Sequence, residues 1–69
     1  MDMHDAFRLY TEGRHLKVRL GREVYENVLI TSISDGSDRA ATVTLLLPTP
    51  IGEPDRFRTS RLDQVEVLP

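Results

Sequence analysis

The chain contains no cysteine and no tryptophan, and its aromatic side chains number two phenylalanines and two tyrosines. Without cysteine there is no disulfide staple and no thiolate metal site. His4 and His15 are the only histidines, too few for a structural zinc site, so neither a metal nor another cofactor is expected. No apolar run approaches the roughly 18 residues that span a bilayer. The start, Met1-Asp2-Met3-His4-Asp5, lacks the basic and apolar regions of a secretory signal. The expectation is a cytoplasmic protein with no membrane partner. A glycine-rich phosphate cradle is also missing, and Asp35-Gly36-Ser37-Asp38 lacks the spacing and closing glutamate of an EF-hand calcium loop. Neither histidine has a serine, cysteine or carboxylate arranged around it in the sequence. A non-catalytic protein is therefore expected.

What is present is enough for one small domain, residues 1–69. A short amphipathic helix is predicted over residues 2–12. Met3, Ala6, Phe7 and Tyr10 recur at i, i+3, i+4 and i+7, which places them on one face. Asp2 is the expected N-cap, Asp5 suits the positive end of the helix dipole, and Gly13 supplies a left-handed stop. From His15 the period changes to two: Leu16, Val18 and Leu20 alternate with His15, Lys17 and Arg19, as in a strand with one buried face. After a turn at Gly21-Arg22, residues 23–33 read as a long second strand whose alternation slips. Val24, Val28 and Ile30 share one parity and Tyr25, Leu29 and Ile33 the other, so a bulge or bend is expected.

Ser34-Asp35-Gly36-Ser37-Asp38 is a turn centred on Asp-Gly. A third strand follows, with Ala41, Val43, Leu45 and Leu47 inward. The proline-rich segment 48–55 cannot sit inside a sheet and is read as an exposed loop with Ile51 at its tip. On a fourth strand Phe57 and Thr59 are expected inward and Arg56 and Arg58 outward, with Phe7, Tyr10 and Phe57 all serving the core. Residues 60–64 form a one-turn kink capped by Asp63 and plugged by Leu62, and Val65-Glu66-Val67 completes a fifth strand. The resulting fold class is mostly β: a five-stranded Sm-like or SH3-like small barrel over residues 15–68, preceded by the helix. Folds of this plan are chiefly binding modules.

Formal net charge is −2, which disfavours a protein that holds nucleic acid by bulk electrostatics. Basic residues are nevertheless clustered. Lys17 and Arg19 share the outward face of the first strand, Arg56 and Arg58 that of the fourth, and Arg61 lies at its end. If those strands are neighbours they make a basic face for RNA or DNA, with Tyr25 free to stack on a base. The simpler alternative is a solvated face interleaved with Glu23, Glu26 and Glu66. A third role is that of a structural subunit in a larger assembly or oligomer, since an open strand edge invites pairing.

The N-terminal helix, the segment RHLKVRLGR, the long bent strand and the closing RFRTSRLDQVEVL are together similar to the Rof family, the small Rho-binding antiterminators. The similarity runs from about Asp5 to Leu68. It implies a helix followed by an Sm-like barrel, and a regulator of transcription termination whose protein partner is Rho factor. On that resemblance the protein docks on the RNA-binding face of Rho and competes with transcript, with Asp2, Asp5 and Glu12 contacting basic Rho residues.

Overall fold

The helix boundaries follow from two residues. In the computed structural model, which describes residues 1–36 and 39–69, Asp2 is extended and its carboxylate accepts the Asp5 N–H at 2.8 Å. This occupies one of the four N-terminal donors a helix leaves unpaired. Helix α1 runs Met3–Glu12, and Gly13 ends it at φ 64°, its N–H shared between the Leu9 and Tyr10 carbonyls. That left-handed cap favours glycine.

Five antiparallel strands follow: β1 Leu16–Leu20, β2 Glu23–Ser34, β3 Thr42–Leu47, β4 Arg56–Arg61 and β5 Val65–Leu68. The hydrogen-bonded order is β4-β3-β2-β1-β5, which leaves β4 and β5 as the edges. The fold is thus mostly β, one sheet and one N-terminal helix. Leu45, Val18, Val28 and Val43 are its largest fully buried side chains, and the buried set is entirely aliphatic, Ala6 and Leu9 of α1 included. Among the described residues no polar or charged side chain is buried.

Strand β2 contains two register shifts, and they explain its slipped alternation. Against β1, Val28 pairs with Leu16 but Tyr25 pairs with Val18, so one extra residue is inserted on β2; Asn27 there has φ 57°. Against β3, Ile30 pairs with Leu45 and Ser32 with Thr44, leaving Thr31 extra. Its hydroxyl donates to the Thr44 carbonyl at 3.1 Å, replacing the ladder bond the bulge removes. Each shift exchanges the two faces. Glu23 and Tyr25, then Val28 and Ile30, then Ile33 therefore line the inner face, while Val24 and Leu29 turn outward. Val24 does not join Val28 and Ile30.

Two further expectations are corrected. The buried stripe of α1 is Ala6 and Leu9 with Met3 packed beside them, whereas Phe7 is 52% exposed and Tyr10 45%. Small Ala6 lets the helix lie close, and the aliphatic Leu9 completes the contact, so the helix is rotated relative to the Met3/Ala6/Phe7/Tyr10 stripe. On β4 the phase is reversed. Arg58 pairs with buried Leu45 and Ser60 with buried Val43, so Arg56, Arg58 and Ser60 occupy the inner face. Phe57 pairs with Leu46 on the outer face and is 59% exposed, and the Thr59 hydroxyl meets that of Thr44 at 3.0 Å. An edge strand at the rim of the core accommodates this because arginine stems cover apolar surface while their guanidinium groups stay wet.

The chain then makes a 3₁₀ turn, Leu62–Gln64, with Leu62 and Val65 buried as expected and the Leu62 N–H bonded to the Ala41 carbonyl at 2.8 Å. Asp63 does not cap it. Its carboxylate pairs with Arg61 at 2.8 Å, and no side-chain cap bond is made. The proline-rich loop is exposed, and a turn closed by Glu53 N–H on the Pro50 carbonyl (3.2 Å) holds Ile51 fully in solvent, with Gly52 at φ 91°. The turn at Ser34–Asp38 is described only to Gly36, whose φ is 70°; Ser37 and Asp38 lie outside the described residues.

Candidate interaction surfaces

The helical period separates the exposed residues of α1 into two flanks. Phe7 and Tyr10, three apart, form an aromatic flank beside the buried stripe. Asp5, Arg8 and Glu12 form a charged flank on the far side, where Arg8 stands 3.8 Å from Asp5 and 3.4 Å from Glu12. His4 and Thr11 occupy the crest between, and a shallow depression of about 300 Å³ runs there between Phe7 and Arg8. The expected partner-binding set of Asp2, Asp5 and Glu12 is therefore on one short helix. Asp2 is engaged as the cap, and Asp5 and Glu12 share Arg8. Such exposed pairs contribute little stability, about 0–1 kcal/mol, so those carboxylates can be re-paired with a partner's cations at small cost.

The residues of the expected basic face are not brought together by pairing. Two strands, β2 and β3, separate β1 from β4. Lys17 and Arg19 are on the outer face, Arg56 and Arg58 on the inner. Arg19 pairs with Glu66 at 3.4 Å, Arg58 with Glu23 at 3.9 Å, and Arg61 with Asp63. Tyr25 is engaged rather than free: its hydroxyl donates to Glu23 and accepts from Arg58 at 3.2 Å. Hydrogen bonding to the Glu23 carboxylate, with burial and that same negative charge, raises its pKa above the usual tyrosine value, and Arg58 opposes the shift. This trio ties β4 to the first half of β2 across the inner face.

A larger cleft, about 880 Å³, lies between α1 and the β1–β5 pair. Arg8, Arg14, His15 and Lys17 line it together with Asp63 and Glu66. Asp5 lines it as well, so Arg8, Arg14 and Lys17 face three carboxylates, each already paired to an arginine, and the cleft carries no net side-chain charge. Among the described residues no three histidine or acidic side chains gather as metal ligands.

What the sequence reading missed is the exposure of Phe7, Tyr10 and Phe57. Their aromatic character directed them to the core, and nothing local distinguishes an aromatic that anchors a partner from one that fills an interior. On the outer face Phe57, Leu46 and Leu29 also form a row across β4, β3 and β2. No protein-family model matches the chain, and no curated protein and no solved structure matches it significantly.

Proposed function

We propose that this protein is a non-catalytic binding module that recognises a protein partner through the exposed face of α1. One observation carries the reading: three of the four aromatic side chains of a small domain stand about half exposed or more, Phe7 and Tyr10 together on the helix. A chain of this size has little apolar area to spare for solvent. Aromatic side chains on a rigid element are the usual anchors of protein interfaces. On the other flank of the exposed helix face, the carboxylates of Asp2, Asp5 and Glu12 outnumber the single Arg8 and favour a basic partner surface. The resemblance to the Rof family makes the RNA-binding face of Rho the first such surface to try, and the protein a regulator of termination in the cytoplasm.

We read the sheet as a small barrel of the Sm or SH3 kind. In a flat five-stranded sheet the edges β4 and β5 stand roughly 19 Å apart, at about 4.8 Å per strand. The Leu62–Gln64 turn that joins them spans roughly 6 Å, at about 2.0 Å per residue. That mismatch, with the bulges of β2 and the Arg58–Tyr25–Glu23 bridge, supports a sheet curled until β4 and β5 approach at the end where this turn joins them, the rest of the β4 edge staying unpaired. The direct RNA- or DNA-binding reading through Lys17, Arg19, Tyr25, Arg56, Arg58 and Arg61 has less support, because those groups are divided between two faces and largely paired.

Purified Rho, labelled RNA and this protein test the partner in a fluorescence-anisotropy competition. Release of RNA that is weakened by Asp5→Lys with Glu12→Lys supports Rho. No competition at any concentration removes Rho as the partner. A binding module for another protein is then tested by the capture experiment that closes the Discussion.

A further inference from the structure

We propose that the open edge of β4 is a strand-addition site for an extended peptide in which acidic and apolar residues alternate. The bond from Leu62 N–H to the Ala41 carbonyl sets the ladder phase. With Val43 opposite Ser60 and Leu45 opposite Arg58, the residues that exchange backbone bonds with β3 are Arg56, Arg58, Ser60 and Leu62. Phe57, Thr59 and Arg61 therefore turn their N–H and C=O groups away from the sheet. Of these, only the Arg61 carbonyl has a partner among the described residues, the Ser60 hydroxyl at 3.2 Å.

The opposite edge differs. On β5 the Val65 carbonyl accepts the Met1 amino group at 3.1 Å, and the Val65 N–H is held by the Leu62 carbonyl. β4 has no proline and no bulge along its six paired residues, and all but Ser60 are exposed. Those are the devices that ordinarily blunt an edge. What guards this one is charge. Arg58 and Arg61 are paired with Glu23 and Asp63, so Arg56 is the cation that most directly repels a second copy of the same strand and attracts an acidic one. Arg58 can exchange its exposed 3.9 Å pair for a ligand carboxylate.

The pattern of the ligand follows from the two faces. Added residues on the inner side meet Arg56 and Arg58, which suits glutamate or aspartate. Those on the outer side meet Phe57 and the row it forms with Leu46 and Leu29, which suits valine or isoleucine. A peptide backbone also matches the edge's alternating donors and acceptors, whereas a nucleic-acid backbone offers phosphate acceptors and, in RNA, a 2′-hydroxyl, without the alternating N–H and C=O of a strand. The surface is separate from the aromatic flank of α1.

The test is an amide-resolved NMR titration with a blocked peptide of alternating glutamate and valine, roughly six to eight residues long. Its comparators are an N-methylated version of that peptide, a lysine–valine peptide and a single-stranded oligouridine. The expected result is saturable shifts and slowed amide exchange at Phe57, Thr59 and Arg61. N-methylation on the pairing edge should abolish binding, and Arg56→Glu, an exposed substitution, should weaken it about tenfold. The Phe7→Ser, Tyr10→Ser variant should bind the peptide as the parent does, whatever the fate of the helix-face reading. Absence of binding at millimolar peptide overturns the proposal. So do binding that tolerates N-methylation, shifts confined to other strands, and oligouridine displacing the peptide from β4.

Discussion

Replacing Phe57 by alanine, beside Leu45 by alanine, tests the phase of β4 and with it the surface available for recognition. The two residues sit on adjacent strands, but Leu45 is 0% exposed and Phe57 is 59% exposed. Fully burying a phenylalanine contributes about 1.5–3 kcal/mol, and Phe57 buries roughly two-fifths of itself. Its loss should therefore cost about 1 kcal/mol, where a core Phe→Ala costs about 3–5 kcal/mol. Leu45→Ala removes a fully enclosed side chain and should cost about 2–5 kcal/mol, a large share of the ~3–10 kcal/mol expected for a domain of this size. Urea unfolding followed by circular dichroism reads both, with an unchanged slope as the check that only stability has moved. In thermal scans about 1 kcal/mol corresponds to a shift of roughly 4–8 °C. A Phe57→Ala loss as large as that of Leu45→Ala would refute the reversed phase and return Phe57 to the core.

Leu62→Ala should cost about 2–5 kcal/mol by equilibrium unfolding, because Leu62 is buried in the turn that connects the two sheet edges; a near-neutral result would mean that the turn is not a plug. Asp2→Ala should lose about 0.5–2 kcal/mol through the missing helix cap, with Asp2→Asn recovering most of it. In a Tyr10→Phe background, absorbance at alkaline pH should show Tyr25 ionising above the ordinary tyrosine value near 10, and Glu23→Gln should bring it down. Because the folded-state pKa is raised, the stability tied to neutral Tyr25 is complete below about pH 10 and disappears as pH climbs through the raised value. Ionisation at or below the ordinary value would contradict the Glu23 contact.

How much of this was legible depended on whether one face of an element differs chemically from the other. Leu16, Val18 and Leu20 alternate with charged residues, so β1 could be read without ambiguity. Asp2 and Gly13 bound α1 because caps and left-handed stops are local chemistry. The slipped parity of β2 announced a bulge, but only pairing partners reveal that there are two, at Asn27 and at Thr31. The helix face was harder. Phe7 and Tyr10 fit an apolar stripe as well as Leu9 does, and a small rotation about the axis exchanges them. β4 misled for a different reason: Phe57 and Thr59 alternate with arginines, and the assumption that arginine faces solvent fails at a rim, where Arg58 reaches inward to Tyr25 and Glu23. The basic face depended on strand order, which residue patterns do not carry when consecutive strands lie at opposite edges. That same order places β1 and β4 apart and leaves Phe57 and the β4 edge exposed.

The central claim is that the aromatic flank of α1 holds a protein partner, and the most direct measurement compares two baits in nuclease-treated lysate. One is the parent chain, the other Phe7→Ser with Tyr10→Ser, both first shown to unfold at closely similar urea concentrations. Quantitative mass spectrometry of the captured proteins should then find a stoichiometric partner on the parent that survives nuclease and is lost from the variant. A partner retained equally by both baits, or one released by nuclease, would contradict the claim.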